Sequence, residues 1–292
     1  MKVLIRKICE EHTPNVVCFH HNDPDGHTGA AIVLTKYPEA KCVEMDYNKA
    51  DGFDFDGIVN EGDKVIIIDF SFKPPEMDKL MKIIEDITWI DHHETAFEYP
   101  YNKPELPGTR SSEGSGAYLA WKFYYPDKDV PEFVELVSDY DTRTLKFGDK
   151  SFQACEGSKL MSLDSEGMEE WQKLFAGEGL DLFLSKGKTC LEYQRKFAQS
   201  YAESYGFESE LDGHKCFVVN IYAMGDRAVS YKMDDYDMCC SCVFDGDRWT
   251  VGLYSTKIDV SKIAQKYKGG GHKGASGFQI DKLPFKKNKE QQ

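Results

Sequence analysis

Apolar positions along the chain fall into two textures. In the first third, short runs rich in β-branched side chains alternate with stretches of helical period. Residues 15–20, 42–45, 63–69 and 87–91 read as strands, and 28–36 and 74–85 as helices. The run Val65-Ile66-Ile67-Ile68 has no polar face, as expected of a central parallel strand covered on both sides. Strands alternating with helices predict an α/β domain, a doubly wound and mostly parallel sheet. Helical patterns continue over 114–124, 130–138, 169–175 and 180–205, while 144–165 reads as loop. After Gly206 the runs become short and β-like, at 215–220, 238–244 and 249–255, followed by a helix over 261–267 and a glycine-rich loop. The expected organisation is a first domain over 1–145, a helical linker over 146–205, a smaller α/β domain over 206–284, and a lysine-rich disordered tail over 285–292.

Composition narrows the function. A length of 292 residues suits one large domain or two of ordinary size. The formal net charge of −14 argues against gripping long duplexes, which needs a broad basic surface. A small anionic substrate remains compatible if local cations overcome that field. No run approaches the roughly 18 apolar residues of a spanning helix, and the first residues lack a signal-peptide core, so a cytoplasmic protein with no membrane partner is expected. The nine cysteines include Cys239, Cys240 and Cys242 in a β-like run, read as reduced, buried thiols.

Three groups of acidic residues and histidines follow directly on strand patterns. These are His20-His21-Asn22-Asp23-Pro24-Asp25-Gly26, then Asp69, then Asp91-His92-His93. In an extended segment alternate residues share a side, which would let His21, Asp23 and Asp25 converge. The carboxyl ends of strands in open α/β sheets are where ligands bind. Carboxylates gathered there repel one another unless cations intervene, and mixed Asp/His donors suit Mn²⁺, with Zn²⁺, Fe²⁺ or Co²⁺ as other candidates.

These groups resemble the first three motifs of the DHH phosphoesterase superfamily, and the Asp139-Tyr140-Asp141-Thr142 segment resembles its fourth. Gly269-Gly270-Gly271-His272-Lys273-Gly274 is similar to the GGGH loop of the DHH-associated C-terminal domain, and the Asn22 and Tyr-Asp-Thr forms to the nanoRNase, oligoribonuclease-like branch. The resemblance implies two divalent cations per site. His21, Asp23 and Asp69 would hold one, and Asp25, Asp69, His92 and a motif-four aspartate the other. Tyr-Asp-Thr favours Asp141 for that role, while Asp139 fits the looser helix-then-Asp pattern. Asp91 and His93 would stand behind the metal ligands or face the substrate, with His93 near the substrate phosphate.

The implied activity is metal-dependent phosphodiester hydrolysis of very short single-stranded oligonucleotides or of 3′-phosphoadenosine 5′-phosphate, by a chain that forms a homodimer as superfamily members often do. Cyclic or linear dinucleotide cleavage and non-catalytic nucleotide binding are the alternatives. Gly270, Gly271, His272 and Lys273 would hold a phosphate through backbone N–H groups, a ring N–H and a positive charge. Tyr254, where many relatives carry Arg, and Ser255 would stand beside them. Arg110 and Arg143 are further phosphate partners, and the small residues over 111–117 could place an anion at a helix N-terminus.

Overall fold

Four parallel strands carry the first part of the chain: β1 (Val16–His21), β2 (Lys41–Met45), β3 (Lys64–Ile68) and β4 (Asp86–Ile90), in the order β2-β1-β3-β4. The computed structural model describes residues 15–47, 50–101, 106–221 and 229–285; the N-terminal stretch and the lysine tail read from the sequence lie outside these. Successive side chains of β1 and β3 point to opposite faces. Cys18, Ile66 and Ile68 enter one apolar core, and Val17, Phe19, Val65 and Ile67 the other. Helices lie over both faces, so the sheet is doubly wound. On one side are α1 (Pro24–Lys36), α4 (Gly116–Tyr124), α5 (Glu132–Asp141), α6 (Asp149–Ser158) and α7 (Ser165–Phe175), and on the other α2 (Pro74–Ile83). A four-residue helix, α3 (Glu94–Phe97), follows β4.

The chain divides into two compact units, Met1–Cys190 and Leu191–Gln292, and the boundary lies inside the long helix α8 (Leu180–Tyr205). Of the segment expected as a linker over 146–205, residues up to Cys190 therefore serve the first unit, with Ala154, Cys155, Trp171, Leu174, Phe183 and Leu184 buried in its core, and the rest serve the second. Helix α6 occupies a segment expected to be loop. Its buried positions are small or polar (Ser151, Ala154, Cys155, Glu156, Gly157, Ser158), so no strong apolar period marks it. A Cβ on Gly157 would meet the Phe183 ring at 2.8 Å, which is why a small residue stands there.

The second unit holds a six-stranded mixed sheet. Its strands are β5 (Phe207–Leu211), β6 (His214–Asn220), β7 (Met238–Phe244), β8 (Trp249–Tyr254), β9 (Gly270–His272) and β10 (Ala275–Ile280), in the order β5-β6-β7-β8-β10-β9. Helix α9 (Val260–Lys266) covers the face that carries Cys216, Val218, Cys240, Val251 and Leu253. The opposite face packs Phe217, Val219 and Cys239 against Ala198 and Ala202 of α8. The glycine-rich segment, expected as loop, forms the edge strand β9 instead. Its backbone pairs with β10, and Gly271 takes φ +132°, a conformation other residues rarely adopt. No described helix is long and apolar enough to cross a membrane.

Candidate metal centre

Parallel pairing puts all four strand ends on one edge of the first sheet, and the acidic residues and histidines collect there. The first group is shaped by a helix start. Asp23 is the N-cap of α1: its Oδ1 accepts from the Gly26 N–H at 2.9 Å, and Pro24 occupies the first helical position. Asp25 and Gly26 thus belong to the first turn of α1, which begins four residues earlier than the sequence reading placed it. Convergence of His21, Asp23 and Asp25 comes from the turn into the helix, not from strand alternation. Gly26 is needed because a Cβ there would strike the His21 carbonyl. The second oxygen of Asp23 lies 2.9 Å from His21 Nδ1; burial raises the Asp23 carboxyl, but that hydrogen bond, the His21 charge and the Gly26 N–H together outweigh it and hold the carboxyl down to about 2.

Asp69, just after β3, has φ +53°, a left-handed conformation that costs energy for a side chain of this kind. Its carboxylate is buried, and neither oxygen accepts a hydrogen bond. His92 Nε2 lies 3.1 Å from Oδ1 and 3.2 Å from Asp141 Oδ2, while His21 Nδ1 lies 3.8 Å from the second Asp69 oxygen. Burial first, then the neighbouring carboxylates, push Asp69 and Asp25 well above the usual range; burial, then Asp23, raises Asp141 to about 6. Among the described residues no lysine or arginine pairs with Asp23, Asp25, Asp69, Asp91 or Asp141. Leaving such carboxylates uncompensated is costly, and the donor set fits divalent cations. Potential ligand atoms of His21, Asp23 and Asp69 lie within 4.8 Å of one another, as do those of Asp25, His92 and Asp141, and those of Asp69, His92 and His93.

The flanking helices treat their aspartates differently. Asp25 sits at the N-terminus of α4, where the Ser115 hydroxyl donates to its Oδ1 and the Ala117 N–H lies 3.2 Å from the same oxygen. The anion expected over 111–117 is therefore the protein's own carboxylate. Asp141 ends α5, where the helix dipole opposes a negative charge, so its carboxylate gains more from a cation. Asp139 is turned away: it accepts from the Lys146 and Phe147 N–H groups at 2.8 and 3.2 Å and from the Ser151 hydroxyl at 2.5 Å. Of the two motif-four candidates, only Asp141 has its oxygen in the cluster.

Gly116 opens α4 directly against Asp69. A Cβ there would overlap the Asp69 side chain and approach Asp69 Cα to 2.8 Å and Asp25 Oδ2 to 3.0 Å. Gly116→Ala is expected to destabilise the protein by about 1–3 kcal/mol through overpacking and to blunt its stabilisation by Mn²⁺. Urea unfolding with and without Mn²⁺ checks this, and an unchanged midpoint in both conditions would show that the contact yields freely.

The remaining expected residues separate into groups. Asp91 is fully buried; it accepts from the Ser71 hydroxyl, from the His92 and His93 N–H groups at 2.7 and 3.2 Å, and bonds His93 Nδ1 at 2.7 Å. It positions His93 and has no oxygen left over. Burial lowers the His93 pKa, but the Asp91 bond together with the charges of Asp91, Asp141 and Asp23 outweighs it, and the net shift is upward. His20 is buried behind the edge, bonded to the His21 carbonyl, and burial lowers it to about 4. Arg143 lines a cavity of about 230 Å³ together with Asp23, Asp25, Asp141 and Cys155, its guanidinium 4.8 Å from the Tyr140 ring centre. Arg110 donates from Nη1 to the Trp89 and Pro107 carbonyls at 3.2 and 3.3 Å.

In the second unit, Gly270, Gly271, His272 and Lys273 are exposed on the edge strand and its turn. Ser255 is occupied internally: it donates to the Asp237 carbonyl and accepts from the Lys257 and Ile258 N–H groups. The Tyr254 hydroxyl lies 3.5 Å from the Ser241 hydroxyl. Sequence reasoning passed over Tyr47, whose ring stands at the cluster; its one signal was its place just past the end of β2.

No family model matches the chain. An uncharacterized protein, R106, of Acanthamoeba polyphaga mimivirus is 26% identical over 94% of this chain and 70% of its own length. Oligoribonuclease NrnB of Bacillus subtilis is 24% identical over 90% and 72%. Among solved structures, the DHH domain of a protein described as a member of a ribosomal protein family superposes with a TM-score of 0.58 at 14% identity, over 90% of this chain and 82% of that one. The pGpG-specific phosphodiesterase PggH from Vibrio cholerae gives 0.53 at 14% identity, over 91% and 93%. RecJ from Thermus thermophilus in complex with Mn²⁺ gives 0.50 at 13% identity, over 91% and 49%. The chain shares the fold of these structures, a DHH domain among them, and the residues at its strand ends resemble the DHH motifs.

Proposed function

We propose that the chain is a divalent-cation-dependent phosphodiesterase that hydrolyses very short oligonucleotides to mononucleotides. The observation that carries the reading is Asp69, a buried carboxylate in a strained backbone conformation with no hydrogen bond, shared by two groups of ligand-type atoms. His21, Asp23 and Asp69 would hold one cation, and Asp25, Asp69, His92 and Asp141 a second, with Mn²⁺ the expected species. Such cations polarise phosphate oxygens and lower the pKa of water toward neutrality.

The chain's own groups supply the rest. Asp91 fixes the His93 ring through Nδ1 and favours its protonated form, so Nε2 is the atom that would donate to a phosphate oxygen or give a proton to the leaving oxygen. Arg143, at the cavity shared with Asp23 and Asp141, would bind a phosphate. Gly270, Gly271, His272 and Lys273 would hold a phosphate or terminal nucleotide on the second unit, with Tyr254 beside them. Relatives named as an oligoribonuclease and as a pGpG-specific phosphodiesterase support phosphoester hydrolysis in nucleic acids, and differ in substrate. The likeness to the second favours dinucleotide cleavage as the alternative reading.

A substrate panel in Mn²⁺ tests both: RNAs of two to five nucleotides, a linear and a cyclic dinucleotide, and 3′-phosphoadenosine 5′-phosphate. The expected result is cleavage fastest for the shortest RNAs and falling with length. Preference for the cyclic compound or for pGpG alone would promote the alternative. Binding without turnover across the panel would overturn the hydrolase reading in favour of nucleotide sequestration.

A further inference from the structure

Tyr47 follows β2 on the same sheet edge as the candidate ligands, and its ring crosses over to the ends of β1, β3 and β4. It stacks on Phe70 at 4.7 Å with the planes 29° apart, and its centroid lies 5.3 Å from that of His21 and 5.8 Å from that of His93. The residue is nonetheless 39% exposed. Phe70 covers one ring face. What the side chain offers outward is a flat π surface, held rigidly between a candidate metal ligand and the histidine that Asp91 positions.

We infer that Tyr47 is the stacking platform for the nucleobase next to the scissile phosphate, an inference that rests on the nucleotide reading of this site. The chemistry around it is carboxylate and imidazole, which recognises cations and phosphate and carries no information about bases. Tyr47 is an exposed aromatic surface within reach of the same atoms, and every base has a π face to lay on it, so recognition there is tolerant of sequence. It ties the site to nucleoside-bearing phosphodiesters and gives no advantage to pyrophosphate or polyphosphate. Purines, with the larger ring system, gain more than pyrimidines.

The test uses the full chain and has two arms. In the first, 2-aminopurine riboside 5′-monophosphate, which has no phosphodiester to cleave, is titrated in Mg²⁺, and its fluorescence reports stacking. The wild type is expected to quench it. Tyr47→Ala is expected to bind it at least about tenfold more weakly and without quenching, and Tyr47→Phe and Tyr47→Trp to restore both. In the second arm, steady-state rates compare a dinucleotide with its counterpart lacking the base beside the scissile bond. Tyr47→Ala is expected to raise KM for the base-bearing substrate by the same factor with little change in kcat, and to treat the abasic one as the wild type does.

Equal losses on both substrates would mean that the ring only packs His21 and His93, and would overturn the inference. So would quenching that is absent in the wild type or unchanged in Tyr47→Ala. Failure of the hydrolase reading looks different: neither dinucleotide is cleaved, while quenching still depends on Tyr47. Melting curves with and without Mn²⁺ show whether each variant keeps the fold and the cation response.

Discussion

Replacing Asp69 by Asn is expected to lower phosphodiester cleavage by more than about a hundredfold while leaving the cation-free protein at least as stable as the wild type. Loss of a residue that merely orients a metal ligand costs about 10–100-fold, and a carboxylate shared by two ligand groups should cost more. The stability half of the prediction follows from burial. Both Asp69 oxygens are desolvated and without a hydrogen bond, and Asp25, Asp23, Asp141 and Asp91 all disfavour its charge. Asn has the same shape, removes that charge, and tolerates the positive φ that Asp69 adopts.

In the wild type, binding of a cation at a hundred times its Kd should add about 2.7 kcal/mol of stability, and Asn at this position should forfeit most of it. Activity assays together with melting temperatures in chelator and in Mn²⁺ check both halves. An Asn variant that cleaves at the wild-type rate, or a wild type that Mn²⁺ does not stabilise, would remove the basis of the proposed site.

The second large effect is on pH. Below about pH 6, affinity for the divalent cation is expected to fall by at least about tenfold for each further pH unit. Burial, and then the charge of Asp23, raise the Asp141 carboxyl from 3.8 to about 6, so below that pH a proton must leave before a cation can be held. Asp25 and Asp69 are raised for the same reasons and steepen the dependence. The sign is that of raised carboxyls. In the cation-free fold these groups contribute stability below their unfolded pKa, and it is lost as pH rises through their folded values.

His20 works in the other direction. Burial lowers it from 6.5 to about 4, so its contribution is present above 6.5 and lost as pH falls toward 4. It bonds the His21 carbonyl and lies outside the cluster, so it cancels when melting temperatures with and without Mn²⁺ are subtracted. That difference should grow from pH 5 toward neutrality. A difference that is flat, or largest in acid, would show that the carboxylates are not what the cation displaces protons from.

Much of the architecture was legible in the chain. The unbroken apolar run from Val65 to Ile68 predicted a strand buried on both faces, and β3 has both faces covered. The alternation of strands and helices predicted the parallel sheet, and hence one edge on which strand-terminal residues gather. Helix α8 was visible over its full length. The pattern was silent where small or polar residues do the packing: α6 buries Ser, Ala, Cys, Gly and one Glu, and β9 is an edge strand made of Gly-Gly-His. Neither has an apolar period, because what selects those residues is close approach of another backbone or ring.

The chemical character of the site was likewise written in the residue types, since Asp and His directly after buried strands can do little but crowd together at the sheet edge. Which of them meet was decided only by tertiary structure. Asp139 and Asp141 are two positions apart on α5, and about 100° of helical rotation per residue sends them to different faces. One is consumed by the backbone N–H groups of Lys146 and Phe147, and the other reaches His92. Asp25 finds the N-terminus of a helix that begins some ninety residues later, and Tyr47 crosses the sheet edge to lie on Phe70. Local sequence sets which groups a segment carries and how its backbone repeats. The distance between two side chains on different segments depends on how far the glycines between them let those segments approach, and that is a property of the folded chain.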